Sequence, residues 1–136
     1  IILFMKNENP YVETLNFVYD LIHEEARIKI EPKDLVKSIK KIKYASILTS
    51  NATGENRAIE CANNMLANKF FKNKPLNTFD NVLLNVYSYD DLTLHELDII
   101  VSKIKEKCRE DVDPVVANTI HIKAWRVIEM KMLLTK

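Results

Sequence analysis

Residues 51–60 read NATGENRAIE and hold Gly54, the only glycine in 136 residues. Average usage would give about ten. Upstream, Lys40 to Thr49 reads as a strand. Ile42, Tyr44 and Leu48 point one way, and Lys43, Ala45 and Ile47 the other. Downstream, from Glu55, the apolar period changes from two to 3.6, with Ala58, Ala62, Met65 and Leu66 on one face. Thr53 is placed to cap this helix, and Glu55 suits the positive end of its dipole. Gly54 therefore falls where the chain passes from strand to helix, and a residue without a Cβ makes that turn easily.

Working outward, Asn81–Tyr87 (NVLLNVY) is an apolar strand of the central kind. Thr93-Leu94-His95-Glu96 has the capping-box spacing, with Leu92 and Leu97 at the staple positions. The helix it opens has a buried stripe of Leu97, Ile100, Val101, Ile104 and Cys108. Asp113-Pro114 leads into a short strand, PVVANTI. In the last run, AWRVIEMKMLL, Ile128, Met130 and Met132 point inward and Glu129 and Lys131 outward. Toward the N-terminus, Asn9-Pro10 starts a helix that runs to about Glu24, carried by Val12, Leu15, Tyr19 and Ile22. A short helix near 32–40 follows Pro32, with Leu35, Val36 and Ile39 on one side. The order α, α, β, α, β, α, β, β predicts an α+β, two-layer sandwich. Its mixed sheet has about four strands, with two long helices on one face and a helix in front.

Composition bounds the function. Hydrophobic residues make up 47% and charged residues 29%, and the net charge is +1. No global field argues for nucleic acid or an anionic membrane. No apolar run approaches the roughly 20 residues that span a bilayer, so no membrane insertion is expected. IILFM is too short for a signal sequence and has no basic flank before it. The chain begins at Ile1 and reads as a piece of something longer or a processed product. Cys61 and Cys108 lie on apolar stripes and read as buried free thiols in a reducing cytoplasm. Neither they nor His23, His95 and His121 have metal-ligand spacing, so no metal is expected.

Four stretches resemble the C-terminal domain of the FtsZ family, the tubulin-like division GTPases. They are Asp20-Leu21-Ile22, Ile28–Ile39 (IKIEPKDLVKSI), Gly54-Glu55-Asn56-Arg57-Ala58, and 82–97 (VLLNVYSYDDLTLHEL). The match runs without a gap from Asp20 to at least Ile100, and the resemblance extends to about Leu134. It implies that residues 1–24 are a lead-in and the end of a connecting helix. Residues 25–136 would be the domain, and the GTP-binding domain is expected to lie outside this chain. One glycine cannot build a glycine-rich phosphate loop. No cofactor is expected here, and GTP belongs to the full-length protein. The implied partners are other FtsZ-like subunits in a head-to-tail filament, with division-associated proteins beside them and no nucleic acid. The implied location is the cytoplasm, and the implied process is septum formation.

The resemblance also places a loop that enters the neighbouring subunit's GTP site and helps position water. A carboxylate in a closed interface can orient a water and accept its proton. The family spacing is Asn-x-Asp-x-x-Asp. The matching residues are Lys29, Glu31 and Asp34, with Glu31 and Asp34 as the catalytic pair and all three as partner contacts. Lys29 puts a cation where the family has an amide, Glu31 reaches one methylene further, and Ala26 replaces a glycine. These departures leave open a non-catalytic protein-binding module derived from the same fold. Glu31 before Pro32, with Asp34 in the first turn, also suits any helix start.

Lys37, Lys40, Lys41 and Lys43 read either as a phosphate-binding patch or as a solvated face. Tyr87 and Tyr89 read as strand packing or as a partner surface. Trp125, if exposed, would be a contact site.

Overall fold

The computed structural model describes residues 2–5, 16–21, 26–39, 42–121 and 126–136. Its strands are β1 (Ile2–Met5), β2 (Ala26–Ile28), β3 (Tyr44–Thr53), β4 (Asn81–Ser88), β5 (Val115–Ile120) and β6 (Val127–Thr135). Its helices are α1 (residues 16–21), α2 (Pro32–Ile39), α3 (Arg57–Leu66) and α4 (Leu94–Lys105). The strands form one mixed sheet in the order β1-β3-β6-β4-β5-β2. The expected α+β sandwich is present, but the sheet is wider than four strands. The additions are two short edge strands: β1 runs parallel to β3, and β2 antiparallel to β5 with an irregular register. Edge strands pair on one side only and leave little periodic trace in so few residues.

The helices α3 and α4 cover one face over a cluster that includes Met65, Phe79, Leu84, Ile100, Ile104, Met130 and Met132. The other face is not bare. Phe17 and Leu21 of α1, with Ile30, meet Ala45, Ile47, Leu83, Ala117 and Leu133 in a second cluster, and Leu35 of α2 packs against it. The leading helix is thus packed on the domain. Its expected start at Asn9-Pro10 lies outside the described residues, as do His23, Lys40, Lys41 and Trp125.

Strand β3 begins and ends about four residues later than the sequence suggests. Ser50 to Thr53, beyond the expected strand end at Thr49, pair with Met130 to Val127 of β6. Ser50 is tolerated inside because its hydroxyl donates to the Cys61 carbonyl at 3.0 Å. Ile42, expected beside Tyr44 and Leu48, packs instead against the second cluster. In β6 the alternation is as read: Ile128, Met130 and Met132 are fully buried on the α3/α4 face.

The turn at Gly54 has φ +92°, a left-handed conformation that L side chains rarely adopt. A Cβ there would meet nothing within 4 Å, so the demand is on the backbone and not on space. Thr53 does not cap α3, because it is still paired with Val127 as the last residue of β3. Asn56 holds the N-cap position without a side-chain hydrogen bond, and the Arg57 N–H donates to the Gly54 carbonyl at 3.2 Å. The capping box of α4 is complete, with Thr93 accepting from the Glu96 N–H at 3.1 Å and Glu96 accepting from the Thr93 N–H at 3.2 Å.

Candidate functional site

The segment Lys29–Asp34 is built by alternation. Ile30 is buried in the second cluster, so its neighbours Lys29 and Glu31 turn outward. The Glu31 carbonyl then opens α2, accepting from the N–H groups of Asp34 at 3.0 Å and Leu35 at 3.3 Å. Pro32 suits the first helical position, where no N–H is needed. Asp34, in the first turn, is half-buried. It lines a cleft of about 250 Å³ with Lys37 of α2, Asp80 to Val82, and Asp111 to Asp113. The Glu31 carboxylate pairs with Lys33 at 3.0 Å, but both side chains are about two-thirds exposed or more. Such a pair is worth little, and either partner can be recruited by an arriving surface. Glu31 and Asp34 thus share one helix start, with Lys29 two residues before it, and Glu31 and Lys29 face solvent.

Two buried polar clusters were not anticipated from the sequence. The first centres on Arg57, whose side chain is 8% exposed. Its Nε donates to Glu96 Oε2 at 2.7 Å, its Nη2 to Glu96 Oε1 at 3.0 Å, and its Nη1 to Asp91 Oδ2 at 2.8 Å. These bonds push the guanidinium pKa further up and hold Glu96 below the usual carboxylate range. The signal was present: Arg57 sits on the apolar stripe of α3, one turn before Cys61, where a lone charge demands a partner.

The second cluster joins α1 to the sheet. Tyr87 is 8% exposed, and its hydroxyl donates to Asp20 Oδ2 at 2.6 Å. The Thr119 hydroxyl donates to the Asp20 carbonyl at 3.3 Å. Beside them opens a cleft of about 390 Å³ lined by Asn16, Asp20, Tyr87, His121, Val127, Glu129 and Lys131. Burial first, then Asp20, pushes the Tyr87 phenol above the ordinary tyrosine range. Of the two readings of Tyr87, packing is the one the structure supports.

Cys61 is buried and Cys108 half-buried, beyond the end of α4; both are free thiols, and burial pushes Cys108 up to about 11. Among the described residues, no group of three or more His, Cys, Asp or Glu is placed to hold a metal ion. Among them, too, no helix is long and apolar enough to cross a membrane.

A mixed sheet with a glycine turn into α3, a capping-box turn into α4 and its last strand at its centre is the α+β fold that the FtsZ resemblance implies. The solved FtsZ dimer of M. jannaschii superposes with a TM-score of 0.79 at 18% identity, covering 92% of this chain and 36% of that one. TubZ of Bacillus thuringiensis serovar israelensis, solved as GDP-form protofilaments, gives 0.62 at 13%, covering 91% and 34%. These likenesses concern the fold. The model of the FtsZ family, C-terminal domain, matches residues 43–136, and the chain belongs to that family. Cell division protein FtsZ 2 of Rhizobium meliloti (strain 1021) is 28% identical over 113 residues, which is 83% of this chain and 33% of that protein. Cell division protein FtsZ of Rickettsia felis is 30% identical over 103 residues, 76% of this chain and 22% of that protein. The chain spans a third or less of the length of these relatives.

Proposed function

We propose that this chain serves as the C-terminal domain of a divergent FtsZ-like cell-division protein that assembles head to tail. Lys29, Glu31 and Asp34 then meet the GTP site of the neighbouring subunit. The observation that carries the reading is the anchored loop. Ile30 fixes the backbone in the core while Glu31 stays exposed at the start of α2. A carboxylate held this way loses little entropy on docking and can orient a water in a closed interface. GTP is bound by the GTP-binding domain of such a protein, and this chain contributes the acidic groups across the interface. Its relatives are cell division proteins, which supports the division role, and its structural neighbours were solved as a dimer and as protofilaments, which supports self-association.

The test uses the full-length protein that carries this domain. Glu31→Gln with Asp34→Asn should lower assembly-dependent GTP turnover at least tenfold while polymer still sediments. Unchanged turnover would remove the loop from the chemistry. A second reading, a non-catalytic binding module, is favoured by one observation: Glu31 is paired with Lys33, and Lys29 adds a second cation beside it. That reading expects filament binding without any turnover in the unsubstituted protein.

A further inference from the structure

The net charge of +1 conceals a strongly uneven distribution. No Asp or Glu occurs in residues 35–54, 61–79 or 130–136. The structure brings parts of all three segments to one corner, where β3 begins and β6 ends. The N–H groups of Lys43 and Tyr44 both donate to the Lys136 carbonyl at 2.9 Å. The Lys74 ammonium sits 3.7 Å above the Tyr44 ring, and the Lys136 ammonium lies 5.8 Å from the Tyr44 and Phe79 rings. Lys69 and Lys72 bracket Phe70 and Phe71 in a 3-10 turn that Asn68 caps by accepting from the Phe70 N–H at 2.9 Å. Phe70 stacks on Phe79 with centroids 6.0 Å apart, which ties that turn to the same corner. Among the described residues, Lys43, Lys69, Lys72 and Lys136 are exposed and take part in no salt bridge.

We propose that this corner adsorbs onto an anionic lipid surface. The adjoining Asp80 carboxylate is already paired with Arg109 at 3.0 Å, so the lysines set the charge of the corner, and each lysine near an anionic bilayer strengthens binding roughly fivefold. Phe70 stacks on Phe79, and Phe70 and Phe71 both pack against the core while staying half-exposed. Lysine stems beside half-exposed phenylalanines suit the boundary between headgroups and acyl chains. The contact is peripheral and needs no insertion. It is independent of the role proposed for Lys29, Glu31 and Asp34.

The test is co-sedimentation of this chain with vesicles of phosphatidylcholine alone and of phosphatidylcholine with phosphatidylglycerol in equal parts. Binding is expected only with phosphatidylglycerol, and it should fall steeply as salt rises. Lys69→Ala with Lys72→Ala should weaken it about 25-fold, from the fivefold effect per lysine. Lys33→Ala with Lys103→Ala should leave it within about twofold, because those lysines already face Glu31 and Glu106 at 3.0 and 4.0 Å. Equal binding to both vesicle types, or equal loss in both double variants, overturns the proposal. Tighter binding to a DNA duplex or to polyglutamate than to the anionic vesicles, at the same salt, also overturns it.

Discussion

Arg57 shows how a single residue decides a junction. It is 6% exposed, and its charge is tolerated because a bidentate pair with Glu96 and a bond to Asp91 replace the lost water. The same Glu96 closes the capping box of α4, so one carboxylate ties the start of α3 to the start of α4. Arg57→Ala should cost about 3 kcal/mol, because it leaves two carboxylates facing each other in a half-buried space. Urea denaturation at neutral pH would show this as a lower midpoint with an unchanged slope. The pH dependence has a definite sign. Glu96 is held below the ordinary carboxylate range, so its contribution is complete above about pH 4.3 and is lost as pH falls through the depressed value. Glu96→Gln should therefore be less stable at neutral pH and flatter in acid, and an unchanged acid slope would remove the pair from the account. Gly54→Ala isolates a different cause. Nothing obstructs the added methyl, so the expected loss of about 1–2 kcal/mol is purely the strain of φ +92°.

At the scale of elements, α1 is the most informative, because so few of its residues hold it. Phe17 and Leu21 are fully buried one turn apart, and the Tyr87–Asp20 and Thr119–Asp20 bonds fix its rotation. Tyr87→Phe should cost about 1 kcal/mol at neutral pH, the scale of one hydrogen bond to a charged group that keeps some exposure. It should also change the alkaline limb. The Tyr87 phenol is raised, so its contribution is complete below the ordinary tyrosine value near pH 10 and is lost as pH rises beyond it. The variant should lose less stability than the unsubstituted chain between about pH 9 and 11, as read by denaturation at each pH. Nothing local announced this contact, since Tyr87 and Asp20 are 67 residues apart. The elements that were legible carry their own signals: the capping box of α4, the glycine before α3 and the alternation of β6. Those that the sequence leaves unassigned depend on partners. Ser50 to Thr53 are mostly polar and become strand only through their pairing with β6, and β1 and β2 are strands only because β3 and β5 offer edges. The Lys29–Asp34 segment was placed by resemblance. Its outward geometry became visible only when Ile30 was found in the core.

The whole molecule is governed by its last strand being its middle one. β6 pairs with β3 on one side and β4 on the other, so the sheet closes only after residues 127–135 arrive. Such non-local pairing makes assembly slow but cooperative. The two cores also cannot be separated, because β4 serves both. Leu83 and Leu84 are neighbours in sequence and fully buried, yet Leu83 belongs to the α1/α2 face and Leu84 to the α3/α4 face. If the faces were independent layers, emptying one would leave the other standing. One shared backbone predicts otherwise. Leu83→Ala and Leu84→Ala should each cost about 2–5 kcal/mol, the range for a buried leucine that leaves a cavity. Both should lower the midpoint of a single urea transition with the same slope, whether followed by far- or near-ultraviolet circular dichroism. A biphasic curve for Leu83→Ala, with α3 and α4 surviving the first step, would show two separable units instead. Coincident transitions would establish that the face bearing α1 and the Lys29–Asp34 segment has the stability of the whole domain, as the docking proposed for that segment requires.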